Sequence, residues 1–335
     1  MATLLNLGTI IAVAEETTIG GGKATAWADT DVVSFNDDSG LTPATDSITR
    51  NVFNGSFIAC KSLTGQESTS GSLNTEVGIT TVTGSEAGKL KGHLLWKAGL
   101  GIYVEQGADT TVANTISEEA DPVTNPTGYD LYKLSKPDDA RTTLCVREYL
   151  GGTSNVIEHK GVVVDSISLT LTAGQIATAS FSVSGIAYDI PTGQPVLTNL
   201  GCGSMPFVTK LAVLKIDNTL IPAQDLTLNI NNTNTDRNAI TSTGISDKVI
   251  TAKSVDLSYT VDLEDLSAYT KLKNNTDGAV YIELTNGAEE IRIYLPKVSY
   301  NSLDLGTDSG VKTLSINAMA TADANGEAIY IATKK

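Results

Sequence analysis

Histidine occurs twice, tryptophan twice and cysteine three times in 335 residues, and each scarcity removes a class of function. Cys60, Cys145 and Cys202 are an odd set without metal-ligand spacing. They fit buried thiols in a chain made in a reducing cytoplasm better than a disulfide framework or a zinc site. His93 and His159 have no Cys or His at ligand spacing, so ordinary packing or surface roles suffice for them. Trp27 and Trp96 stand far apart, whereas a carbohydrate-active β-sandwich would cluster aromatics against its sugar. Positive charge is short as well: 23 Lys and Arg against 38 Asp and Glu leave a formal charge of −15. That argues against gripping nucleic acid through its phosphates, while serving solubility. No apolar run approaches a membrane span. The opening MATLLNLGTIIAVAEETT lacks a basic n-region and is interrupted by Asn6, Gly8 and Thr9, so no export signal is expected.

Recognisable chemistry is equally thin. Gly20 to Lys23 resembles a phosphate loop, but Thr17 stands where a Walker motif needs Gly and Ala24 where it needs Ser or Thr. The pairs Glu15 with Glu16, Glu118 with Glu119 and Asp138 with Asp139 lie in polar stretches and read as solvated charge. Asn54, Asn231 and Asn274 open glycosylation triplets that mean little without export. No catalytic residue, cofactor or metal is expected, and the chain reads as a non-enzyme.

What the chain does have is Ser, Thr, Asn and Gly in alternation with apolar residues, which favours strands and turns. In the stretch from Val162 to Ala187, Ile167, Leu169 and Leu171 alternate with Ser166, Ser168, Thr170 and Thr172. After a turn at Ala173 and Gly174, Ala177, Ala179, Phe181 and Val183 alternate with Thr178, Ser180, Ser182 and Ser184. This is the pattern of a β-hairpin with one apolar face. The stretch from Lys297 to Ala320 echoes it: Leu169 and Leu171 fall on Leu303 and Leu305, and Ile176, Thr178, Ser180 and Phe181 on Val311, Thr313, Ser315 and Ile316.

The rest of the chain supports a repeat. Pro43-Ala44-Thr45-Asp46 is echoed by Pro222-Ala223-Gln224-Asp225, and the order strand, helix, strand, hairpin occurs in both halves. Residues 4–14 are expected to form a first strand or an arm that docks on a neighbour, with an exposed excursion at 15–46 and a hairpin about Asn54 and Gly55 at 47–59. A polar-faced strand follows at 64–77, then a helix at 89–100 with Leu90, Leu94 and Leu95 on its packing face. Residues 102–141 read as a loop-rich insertion before a strand at 142–149. In the second half strands are expected at 208–216, 226–230 and 251–263, with a polar loop at 231–238. A helix at 264–273 should pack through Leu266, Tyr269 and Leu272, ahead of strands at 280–284 and 290–295. The domain expectation is a first fold over 1–190, a linker over 191–206 and a second fold over 207–335, each with its own core.

Four blocks now bear on family: IIAVAEETTIGGG, GHLLWKAGLG after the Ser-rich strand, RTTLCVREYLGG running to SVSGI, and IRIYLPKVSYNSLDL. With them the chain resembles the tail tube proteins of long-tailed bacteriophages along nearly its whole length. The resemblance implies a mainly β architecture of two tandem β-sandwich or half-barrel folds, each with one short flanking helix. It implies a virion protein, made in the host cytoplasm, whose rings share an inner β-barrel and stack into the conduit for genome ejection. A trimeric, pseudo-six-fold ring suits a duplicated chain, with a hexameric ring as the alternative. Other tail proteins would sit at the tube ends, and double-stranded DNA would pass without specific binding or any membrane contact.

For the lumen, the water-facing sides of the long strands are the candidates: Gln66, Ser68, Ser70 and Ser72, with Ser254, Asp256, Ser258 and Asp262. Hydroxyls, amides and carboxylates offer a moving phosphate backbone little to hold. The plain alternative is an ordinary outer sandwich face. The competing assignments are another β-rich assembly subunit: a tail terminator, a capsid decoration protein or a surface adhesin module.

Overall fold

The computed structural model describes residues 8–50, 61–80, 88–105, 129–198, 205–217, 219–240, 244–263, 266–287 and 289–334. The first half contributes β1 (Ile10–Glu15), β2 (Val32–Val33), β3 (Gly40–Ile48), β4 (Leu63–Glu76), α1 (His93–Leu100), β5 (Gly101–Val104), β6 (Asp130–Leu134), β7 (Leu144–Tyr149), β8 (Val156–Thr172), β9 (Thr178–Gly185) and β10 (Ala187–Asp189). The second contributes β11 (Ala212–Ile216), β12 (Thr219–Leu220), β13 (Ala223–Asn238), β14 (Ile245–Asp262), α2 (Ser267–Asn274), β15 (Gly278–Asn286), β16 (Glu289–Asp308), β17 (Val311–Ala320) and β18 (Tyr330–Lys334).

These strands form one continuous antiparallel sheet, folded where two long strands change partners. The first part of β8 pairs with β7 and β10, and its second part with β9 and β13. Likewise the first part of β16 pairs with β15 and β18, and its second part with β17. A bulge leaves Asp165 unpaired on β8 and Asn301 unpaired on β16. Such an extra residue bends a strand and raises its twist, which lets one strand serve two layers. Pro296, with no N–H to donate, falls at a further register shift within β16.

The broad layer runs β3-β4-β9-β8-β13-β14-β17-β16. A second layer runs β2-β1-β7-β8-β10, and a third β12-β11-β15-β16-β18-β6-β5. In order of appearance, β13, β14, β17 and β16 are connected as β3, β4, β9 and β8 are. The strands β12-β11-β15-β16-β18 likewise follow the order of β2-β1-β7-β8-β10. Only β5 and β6 lack a counterpart among the described residues.

Several expectations need correction. The polar stretch 231–238 belongs to β13, because its backbone pairs onward with β14 as far as Asn238 and Ile245. β3 begins at Gly40, inside the expected excursion, and pairs with β4; the turn at Asn54 and Gly55 lies outside the described residues. The two Pro-Ala-x-Asp tetrapeptides occupy different places: Pro43 is inside β3 opposite Thr69, whereas Pro222 precedes β13. Between the two bulged hairpins Leu303 takes the place of Ile167, two residues from the sequence alignment, since Ile167 faces Phe181 and Leu303 faces Ile316. Strands β5 and β6 fall almost wholly inside the 102–141 stretch expected to be loop-rich, of which 106–128 lies outside the described residues, as do Cys60, Cys202 and part of 191–206.

The helices start late. Gly92, at φ 70°, sits at the N-terminus of α1, so Leu90 lies outside it, yet Leu90 and Leu95 are buried in the core and Leu94 packs against it. In α2, Tyr269 and Leu272 are partly buried against the core, whereas Leu266 precedes the helix and is 61% exposed. The core itself is shared: Leu73, Ile167 and Phe181 from the first half join Leu228, Tyr259 and Ile316 from the second in one apolar cluster.

Candidate functional site

On strands, alternate side chains face opposite ways. With Leu73, Ile167, Leu169, Phe181, Leu228, Tyr259 and Ile316 turned to the core, their neighbours must line the other face of the broad layer. The pairings run that face as rows across the strands. Asn74 lies beside Ser180, Ser180 beside Ser168, Ser168 beside Asn229, and Asn229 beside Asp256. The next row carries Glu76, Thr178, Thr170, Thr227, Ser258, Asn317 and Ser302.

Ser68, Ser70 and Ser72 on β4 stand on this face, as do Ser254, Asp256, Ser258 and Asp262 on β14; Gln66 continues the same alternation beyond the part of β4 paired with β9. The two quartets are thus brought onto one surface, with β9, β8 and β13 between them. Sequence reasoning left out the residues in between, Ser166, Ser168 and Thr170, Asn229 and Asn231, Ser180 and Ser182, and those beyond β14, Ser315 and Asn317. Their signal was present as the same alternation in every strand, and what was missing was the knowledge that β8 pairs with β13.

Lateral hydrogen bonds tie the face together. Ser180 Oγ donates to Asn74 Oδ1 at 2.6 Å, and Asn231 Nδ2 to Asp256 Oδ2 at 3.0 Å. Ser254 Oγ also donates to Asp256 Oδ2 at 3.0 Å, and Asn317 Nδ2 to Ser302 Oγ at 3.0 Å. Thr260 and Ser315 share a bond of 3.2 Å. Glu76, Asp225, Asp256, Asp262 and Asp304 contribute carboxylates, and no Lys or Arg stands at the paired positions of these rows. Such a surface is wet, acidic and already engaged with itself, without the basic side chains that hold phosphate.

The histidines serve packing. His93 Nδ1 bonds Tyr132 Oη at 2.7 Å, and its pKa is lowered to about 3, chiefly by burial and then by Lys89 and Lys97. His159 Nδ1 bonds Thr69 Oγ1 at 2.7 Å, and burial lowers its pKa to about 4. Burial also pushes the Cys145 thiol up, away from the reactive thiolate. Among the described residues no group of His, Cys, Asp and Glu side chains gathers to hold a metal ion.

Among the described residues no strand pairs with the outer edge of β3 or of the second part of β16, and on β3 the Leu41 N–H donates to the buried Glu148 Oε1 at 2.6 Å. Fold and face together define a β-sheet structural subunit built for contact with like subunits. The family model described as phage tail tube protein matches residues 7–328, so the chain belongs to that family and is a structural component of the virion tail tube. No curated protein matches it. The family implies assembly with itself into a tube and contact with other tail proteins.

Proposed function

We propose that this chain is a tandem duplication of the tail tube fold, three copies of which close a ring whose broad layers merge into one barrel. On this reading the Ser, Thr, Asn and Asp face lines the lumen, the rings stack axially, and genome DNA slides through on its way out. Dividing the chain into folds over 1–190 and 207–335 follows from the matching strand orders of the halves.

Size favours three copies. Twenty-four strands ~4.8 Å apart span ~37 Å, and inward side chains, each about half of the ~10 Å sheet spacing, leave a bore of ~27 Å that strand tilt widens. A B-form duplex is roughly 20 Å across. Six copies would leave ~63 Å by the same reckoning, and the eight strands of one chain closed alone would fill with side chains. The lumen assignment rests above all on one observation: among the described residues a predominantly polar face, broken by Met319 and with no Lys or Arg in the rows traced above, lies between two sheet edges that have no strand partner.

The test is phage carrying Asp256→Lys and Asp262→Lys. Tubes of normal form with slowed DNA ejection are expected, because lysines would hold passing phosphates. Normal tubes with unchanged ejection would contradict the lumen assignment.

A further inference from the structure

The chain contains a template for its own intermolecular contact. In the internal seam between β8 and β13, Leu169 faces Leu228, Ser168 faces Asn229 and Ile167 faces Ile230. The bulges and the β9 and β17 pairings put Ile167 in the place of Leu303 and Leu169 in the place of Leu305. The β4 and β14 pairings put Leu41 in the place of Leu228, Thr42 in that of Asn229 and Pro43 in that of Ile230. Among the described residues the two outer edges of the broad layer are therefore the two sides of the internal seam, each without a strand partner, with the Leu41 N–H held by Glu148 Oε1 at 2.6 Å.

We propose that β3 of one copy pairs antiparallel with the second part of β16 of the next copy in the register of the internal seam. Leu41 then faces Leu305, Thr42 faces Asp304 and Pro43 faces Leu303. This rests on the ring reading above and adds to it the strand partners and their register.

Exposure supports the occupant. Leu305 is 60% exposed, whereas Leu169, in the same place on the covered strand, is 2% exposed. Charge supports it too. At the internal seam Lys253 of β14 donates from Nζ to Leu100 O at 2.8 Å, at the end of α1. At the outer seam the position of Lys253 is held by Glu67 on β4, and the end of α2 carries the exposed Lys273, so a carboxylate arrives where a lysine waits. Pro43 offers the edge only its carbonyl, which blunts β3 against wrong pairing before the ring closes.

The experiment uses full-length protein with Cys60 and Cys202 replaced by serine, assembled and then oxidised. Thr42→Cys with Asp304→Cys should shift on a non-reducing gel to two- and three-chain species, while Thr42→Cys with Ser302→Cys, two residues out of register, should not. Native mass measured before oxidation separates the two claims. Rings in which only the offset pair cross-links would overturn the register and leave the ring standing; unmodified protein that stays monomeric would overturn the ring reading and the seam with it. In a second arm, Lys273→Glu should lower ring yield and adding Glu67→Lys should restore it; failure of the swap to rescue would remove that pair from the seam.

Discussion

The two helices occupy corresponding places, each between the second strand of the broad layer and the strand that leads to its bent partner, yet only one is buried. α1 buries His93, Leu95, Trp96, Ala98, Gly99 and Leu100, with the Trp96 ring edge-on to Phe181 at 5.2 Å between centroids; α2 buries no residue. The difference follows from what lies beneath. α1 packs on β8 and reaches β13, so it straddles a closed seam. α2 packs on β16, beyond which no further strand joins the broad layer among the described residues. Closure also shapes the helix end: Asn232 Nδ2 donates to Gly99 O at 2.9 Å and to Val164 O at 3.0 Å, so the second half caps the first half's helix. Burial in this molecule tracks whether the sheet below has its neighbour.

Substitutions can break that contrast. The largest effect is expected for Trp96→Ala, about 3–5 kcal/mol of stability by chemical denaturation, against less than about 1 kcal/mol for Tyr269→Ala on half-buried α2. A loss at Tyr269 as great as at Trp96 would erase the distinction between the helices. Next comes Asn232→Ala, which removes the shorter side-chain donor from two carbonyls, leaving Gly99 O with Lys253 Nζ at 3.5 Å and Val164 O with Asn234 Nδ2 at 3.4 Å, and should cost about 1–2 kcal/mol.

Gly99→Ala sharpens the same point. Its added Cβ would lie 2.5 Å from Ile167 Cδ1 and 3.2 Å from Val164 Cγ1, so the helix must lift or the side chains must move. The expected loss is about 1–3 kcal/mol, whereas Lys273→Ala at the matching turn of α2 should change monomer stability by no more than about 0.5 kcal/mol.

Acidification separates the halves more gently, since both histidines lie in the first. Their folded pKa values of about 3 and about 4 lie below the ordinary 6.5. The unfolded chain therefore takes up protons first, and stability falls as pH drops from about 6.5 toward 4. Burial raises the carboxyls of Glu148 and Glu327, so the folded chain takes up those protons first and opposes the decline above the ordinary carboxyl range. His159→Gln should flatten the decline of melting temperature with pH over that window; an unchanged slope would remove His159 as a contributor.

Much of this was legible because alternation is a local property. Leu169 beside Thr170 and Phe181 beside Ser182 declare a strand and its two faces without knowledge of any partner. What depends on a partner was not legible. Asn231 to Asn238 is polar throughout and reads as loop until β14 is found beside it. The turn between β16 and β17 is one residue shorter than that between β8 and β9, Ile167 lying 14 residues before Phe181 and Leu303 13 before Ile316, so an alignment that puts an extra residue in the second turn sets Leu303 on Leu169. Leu266 has the spacing of a packing residue, yet helical φ/ψ angles begin only after it. The polar face was half read, since its serines announce themselves strand by strand, but their union into one surface is set by the β8 and β13 pairing.

The most direct measurement is the rotational symmetry of the assembled tube by cryo-electron microscopy. The account predicts three chains per ring, a common inner wall of twenty-four strands, and Asp256 and Asp262 facing the bore. Six chains per ring, or a wall in which the broad layers of neighbouring chains do not join edge to edge, would contradict it.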